Sequence, residues 1–139
     1  MKKLLILCLL FLMVSGCKSS KQPTLTCTLE IGEGYLFTYV YTGEKPVTHV
    51  DMDLAFPAEA YGLDASTFEL YKEELLADMV EAYPGFDIEV NYKDDKIHYI
   101  ISGEIADIDV EEIGGTFDFD TISYQEITEF MQQQGGSCK

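Results

Sequence analysis

In "HVDMD", residues 49–53, His49, Asp51 and Asp53 alternate with apolar residues, so a strand would present all three on one side. Imidazole beside carboxylates suits zinc or a harder cation, and His98, on the polar side of another run, would add a fourth ligand if the two strands were neighbours. Against this, side chains two apart on a strand stand about 7 Å apart, wide for one ion, and an outward polar row needs no ligand to explain it. A second acidic alternation, Asp107, Asp109 and Glu111 with Asp118 and Asp120, has the look of a calcium loop. Its intervening residues are Ile, Val and Phe, however, and the sharp-turn glycine is missing, so an amphipathic segment fits better. With no nucleophile elbow, no glycine-rich phosphate loop and no Trp beside paired carboxylates, neither an enzyme nor a cofactor is expected.

The cysteines carry a different chemistry. Lys2 and Lys3 precede eleven apolar residues, "LLILCLLFLMV" (4–14), which as a helix would span only about 16 Å of a ~30 Å hydrocarbon core. This is the build of an export signal rather than a membrane span. Val14-Ser15-Gly16-Cys17 then resembles the lipobox of bacterial lipoproteins, which implies a diacylglyceryl thioether on Cys17. Two chains at about 0.8 kcal/mol per buried methylene hold stably where one would not. The expected organisation is a lipoprotein signal peptide over 1–16, the lipidated Cys17 with a tether over 17–23, and a single domain over 24–139. Cys8 falls in the signal, which leaves Cys27 and Cys138. Outside the cytoplasm such a pair is more often bridged than free, and the absence of C-x-x-C spacing argues against a redox role. A bond between them would close nearly the whole domain and, in the chain-entropy account, stabilise it by about 4 to 5 kcal/mol.

Charge narrows the partners. The 139 residues hold 25 Asp and Glu against nine lysines and no arginine, a net charge of −16. Such a surface repels nucleic acid, whose binding depends on cations neutralising phosphates, and it opposes anionic headgroups too. The membrane is therefore expected as a partner through the lipid alone, with an envelope protein as the partner of the domain.

Positioning these residues falls to alternating strands and two helices. "TLTCTLEI" (24–31) puts Leu25, Cys27, Leu29 and Ile31 on one face, and "YLFTYVYT" (35–42) aligns Tyr35, Phe37, Tyr39 and Tyr41, an aromatic strip that helices would cover. "VTHVDMDLAF" (47–56) follows, making an antiparallel meander with glycine-containing turns between the strands. A helix over 66–83 is expected to open on a Ser66–Glu69 capping box and to turn Phe68, Tyr71, Leu75, Met79 and Tyr83 inward, with Leu76 and Val80 widening the stripe. Strands over 86–92 and 96–105 read as a hairpin, and a last helix over 123–136 opens on Ser123 and Glu126 and stops at Gly135. The fold class is α+β: an antiparallel sheet of about five strands packed by a central helix and a C-terminal helix.

Lipobox, threonine-cysteine strand, central helix, "NYKDDKIHYIISGEI" hairpin and a last helix running into Gly135-Gly136-Ser137-Cys138-Lys139 together resemble the YehR-like small bacterial lipoproteins, a domain family without an established function. The resemblance implies an extracytoplasmic lipoprotein and supplies no catalytic residue. The expected function is a lipid-anchored, non-enzymatic binding or accessory module at the cell envelope; the alternative is a metal- or solute-binding lipoprotein using His49, Asp51 and Asp53 or the acidic 107–120 segment.

Overall fold

The computed structural model describes residues 22–111 and 117–139; the expected signal peptide, Cys17 and most of the tether lie outside them. Alternating sequences form the strands β1 (Thr24–Ile31), β2 (Tyr35–Thr42) and β3 (His49–Pro57), the expected meander. Two residues expected at the start of the third strand lie before it: Val47 is buried in the turn, where its N–H donates to Phe119 O at 2.8 Å. A short 3-10 turn, Ala58–Tyr61, leads to α1 (Ala65–Ala82), and β4 (Asp87–Lys93) and β5 (Lys96–Glu104) follow as a hairpin. The chain closes with α2 (Tyr124–Gln133) and a two-residue strand, β6 (Ser137–Cys138).

The sheet order is β4-β5-β3-β2-β1-β6, with every neighbouring pair antiparallel. The fold is therefore α+β as expected, with six strands instead of about five. The addition is β6, too short for any alternation to announce it. At the β4–β5 hairpin, Asp94 and Asp95 take φ of 54° and 60°, the two left-handed residues that a two-residue hairpin turn needs to match strand twist.

Both helices cover the same face of the sheet. α1 lays Phe68, Leu75, Leu76, Met79 and Tyr83 over Leu54, Val90, Ile97, Tyr99 and Ile101. α2 lays Ile127, Met131 and Phe130 over Leu25, Cys27, Tyr41 and Val50. The aromatic strip of β2 belongs to this core: Tyr41 is buried, and Tyr39 and Phe37 pack where the helices meet the sheet. The stripe of α1 is narrower than its periodicity predicts. Tyr71 and Val80 are 49% and 51% exposed, because they lie beyond the width of sheet that the helix covers.

The start of α1 also differs from expectation. Asp64, not Ser66, is the N-cap: its Oδ1 accepts from the Ser66 and Thr67 backbone N–H groups, both at 2.9 Å, and its own N–H donates to Thr67 Oγ1 at 2.8 Å. A carboxylate is the stronger acceptor for orphan helix donors. Ser66 therefore becomes a donor to it, at 2.6 Å, and the bonds from Ser66 and Thr67 hold the Asp64 carboxyl down at about 2. The cap expected for α2 is present, with Ser123 Oγ accepting from Glu126 N and Glu126 Oε2 accepting from Ser123 N.

Beyond α2 the chain passes so close to β1 that a Cβ on Gly136 would stand 2.7 Å from Thr28 O. That approach lets Lys139 and Thr26 exchange backbone hydrogen bonds of 2.8 and 3.1 Å, which sets Cys138 directly opposite Cys27. Their Cα atoms are 4.0 Å apart and the sulfurs are bonded, in the adjoining pair that makes no backbone hydrogen bonds, where opposite side chains come closest. Cys27 is wholly buried, as its place on the inward face predicts. Reducing this bond should lower the free energy of urea unfolding by about 2–5 kcal/mol; a change within about 0.5 kcal/mol would show that the bond adds nothing to the fold.

Candidate functional site

With both helices on one side, the opposite face of the sheet has no covering layer among the described residues. Period-two alternation puts Thr24, Thr26 and Thr28 of β1, Leu36, Thr38 and Val40 of β2, and His49, Asp51 and Asp53 of β3 on that face. The β3–β5 register then sets Glu104 opposite His49, Ser102 opposite Asp51 and His98 opposite Ala55. The strands carrying His49 and His98 are thus neighbours, as a four-ligand site would require.

The two imidazoles nevertheless engage different carboxylates. His49 Nδ1 lies 2.8 Å from Glu104 Oε1, while its Nε2 lies 3.1 Å from Asp51 Oδ1 and 3.0 Å from Ser102 Oγ. His98 Nδ1 pairs with Asp53 Oδ1 at 2.9 Å. His49, Asp51 and Asp53 therefore form no common set: Asp53 turns to β5 and leaves His49 with a carboxylate on each side. Among the described residues no group of three or more His, Cys, Asp or Glu side chains is arranged to hold a metal ion. In the acidic segment, Asp109 and Asp118 accept from the backbone N–H groups of Glu111 and Asp120, both at 3.1 Å, which are local turns. The connecting residues, 112–116, lie outside the described residues.

Ser102 and Glu104 are the residues that sequence reasoning missed. Their signal is the β3–β5 register, which joins positions about fifty residues apart and leaves no mark in either strand alone. Ser102, His49 and Glu104 follow the bond order of a nucleophile, a base and an orienting acid. Two features oppose that chemistry. Ser102 Oγ donates to Asp51 Oδ1 at 2.7 Å, so its proton points away from the imidazole. The backbone amides around Asp51 and Ser102 are committed to strands on both sides, leaving no donor pair for an oxyanion. What the cluster can do is hold an imidazolium. Partial burial pulls the His49 pKa down, but hydrogen bonds to Asp51 and Glu104 outweigh it and the net shift is upward from 6.5. The charges remain in reach of water: the Asp51 and Glu104 side chains are 50% and 59% exposed.

An antiparallel sheet with two helices on one face and a hydrogen-bonded polar face opposite defines a small open-faced α+β domain. The same fold is found in the Escherichia coli YehR protein, whose NMR structure matches this chain with a TM-score of 0.59 over 85% of this chain and 91% of that one, at 16% identity. An NMR structure of a protein from Streptococcus pneumoniae TIGR4 aligns over 86% of this chain and 87% of its own, with a TM-score of 0.45 and 11% identity. No protein-family model matches the chain, and no curated protein does. The YehR likeness is one of fold, which agrees with the fold implied by the order of elements.

Because the His49 pKa is higher folded than unfolded, its stabilisation should be complete below about pH 6.5 and lost as pH rises through the folded value. NMR titration should therefore place His49 above 6.5, and Glu104→Gln should bring it down. A His49 midpoint at or below 6.5 in the unaltered chain would refute the charged cluster.

Proposed function

We propose that this chain is a lipid-anchored extracytoplasmic lipoprotein that works as a non-enzymatic binding or accessory module at the cell envelope. The observation that carries the binding role is the uncovered sheet face. A layer with helices on one side leaves a broad surface on the other, and here it mixes hydroxyls, an ion-pair cluster and the apolar side chains of Leu36, Val40 and Ile100. Such a mixture of modest apolar contacts within a polar, hydrogen-bonding surround is the composition of a non-obligate protein interface. Its preformed ladders would need little ordering on association.

The anchor supports the address. Six residues, "KSSKQP" (18–23), separate Cys17 from β1, so a lipid there would hold the domain close to the bilayer. The excess of carboxylates keeps the domain surface from adhering to anionic headgroups, which leaves the open face free for a partner. A structural disulfide suits the same oxidising compartment.

Replacing Cys17 with Ser should move the chain from the membrane fraction to the soluble one and abolish its partition into detergent; unchanged partition would end the lipoprotein reading. Photo-crosslinkers placed at Thr38 and Ile100 should capture one shared envelope partner, while the same group at Gln125 on α2 should not. Equal capture from both sides would remove the sheet face as the binding surface.

A further inference from the structure

A second site lies on the helical side, away from the open sheet face. After β3 the chain makes its 3-10 turn, passes through Gly62 in the left-handed region (φ 67°), and runs beside the middle of α1. Tyr71, Glu74, Leu75 and Asp78 are spaced i, i+3, i+4 and i+7, so they form one face of that helix. Together with Tyr61, Gly62 and Leu63 they line an open cleft of about 280 Å³.

Its construction is specific. Tyr61 and Tyr71, 44% and 49% exposed, both line the cavity and stay accessible to a ligand. Tyr61 is not a loose surface ring: it packs in a T-shaped arrangement with Phe56, the ring centres 6.1 Å apart and the planes at 82°. Leu63 and Leu75 supply apolar walls, and Glu74 and Asp78 supply two carboxylates one helical turn apart on the same face. The described residues lining the cleft include no cation. Lys72, the single lysine of α1, instead holds its ammonium 6.0 Å from the centre of the Phe68 ring.

From this geometry we infer that the Tyr61–Tyr71–Glu74–Asp78 cleft is a binding site for a guanidinium side chain, an arginine presented by a basic peptide segment of a partner protein. A guanidinium is flat, weakly hydrated and permanently charged, so it stacks on tyrosine faces while its N–H fork meets carboxylates. Its methylene stem would lie against Leu63 and Leu75. The surrounding charge favours the same ligand: α1 also carries Glu69, Glu73 and Glu81, and the chain as a whole is at −16. A basic segment is therefore drawn to this helix before any contact forms.

The test is an amide-resonance titration of the full chain in nonionic detergent with acetyl-Gly-Gly-Arg-Gly-Gly-amide, against the same peptide carrying citrulline, which keeps the shape and loses the charge. The arginine peptide should give saturable shifts centred on Tyr61, Gly62, Leu63, Tyr71, Leu75 and Asp78. The citrulline peptide, and the arginine peptide with the Glu74→Gln, Asp78→Asn double variant, should each bind at least about tenfold more weakly. Both substituted positions are exposed, and the same spectrum reports whether the variant is folded. Tyr61→Ala should weaken binding with the carboxylates intact. Equal response to citrulline would overturn the site, as would shifts spread over the acidic surface generally or no saturable shift up to about 10 mM peptide.

Discussion

The pairing of β3 with β5 is the constraint on which most of the molecule depends. Nine positions, from His49 opposite Glu104 to Pro57 opposite Lys96, are held in one antiparallel register between strands that α1 separates in the chain. On the inner side that register stacks Leu54 beside Tyr99 and Met52 beside Ile101, the bed on which α1 rests. On the outer side it brings His49 to Glu104 and Ser102 to Asp51. A slip of one residue would turn leucine and isoleucine to water and carboxylates to the core. The hydrophobic demand of one face therefore fixes the electrostatics of the other.

This coupling explains what was legible in the residues alone. Alternation located the five longer strands, and two cysteines at opposite ends of the domain pointed to their pairing. Ser123 and Glu126 marked α2 because both halves of that cap lie within one turn. Strand order was not legible, since β3 and β5 carry no signal for each other beyond shared alternation. Without that order, His49 and Asp53 on one strand looked like a ligand set when each belongs to a different cross-strand pair. The cap of α1 was misplaced for a local reason. Ser66 has the right type for a cap, but Asp64 precedes it and outcompetes a hydroxyl for the same orphan amides. Periodicity also overstated the buried stripe, because it reports which side chains share a side of the helix and not how much sheet lies beneath them.

The two faces of the domain offer contrasting chemistry. On the sheet face the central strands β2, β3 and β5 are paired on both sides, and the polarity of β3 and β5 there lies in side chains that hydrogen-bond one another. The helix face presents rings and carboxylates whose partners are incomplete, with a cleft between them. The two proposed surfaces are separated by the core of the domain, so substitutions on one should leave the other unaltered where no shared neighbour couples them.

The disulfide has a bearing beyond holding the chain ends together. β1 alternates Thr24, Thr26, Thr28 and Glu30 with Leu25, Cys27, Leu29 and Ile31, and β6 with Lys139 covers only the stretch around Thr26 to Thr28 of its outer side. An uncovered strand of this composition is a template on which another molecule can add its own strand, the first step toward ordered aggregation. By fastening β6 in place through a covalent bond, Cys138 keeps the middle of that template occupied. With the bond reduced, backbone hydrogen bonds such as the Thr26–Lys139 pair would be left to keep that edge covered.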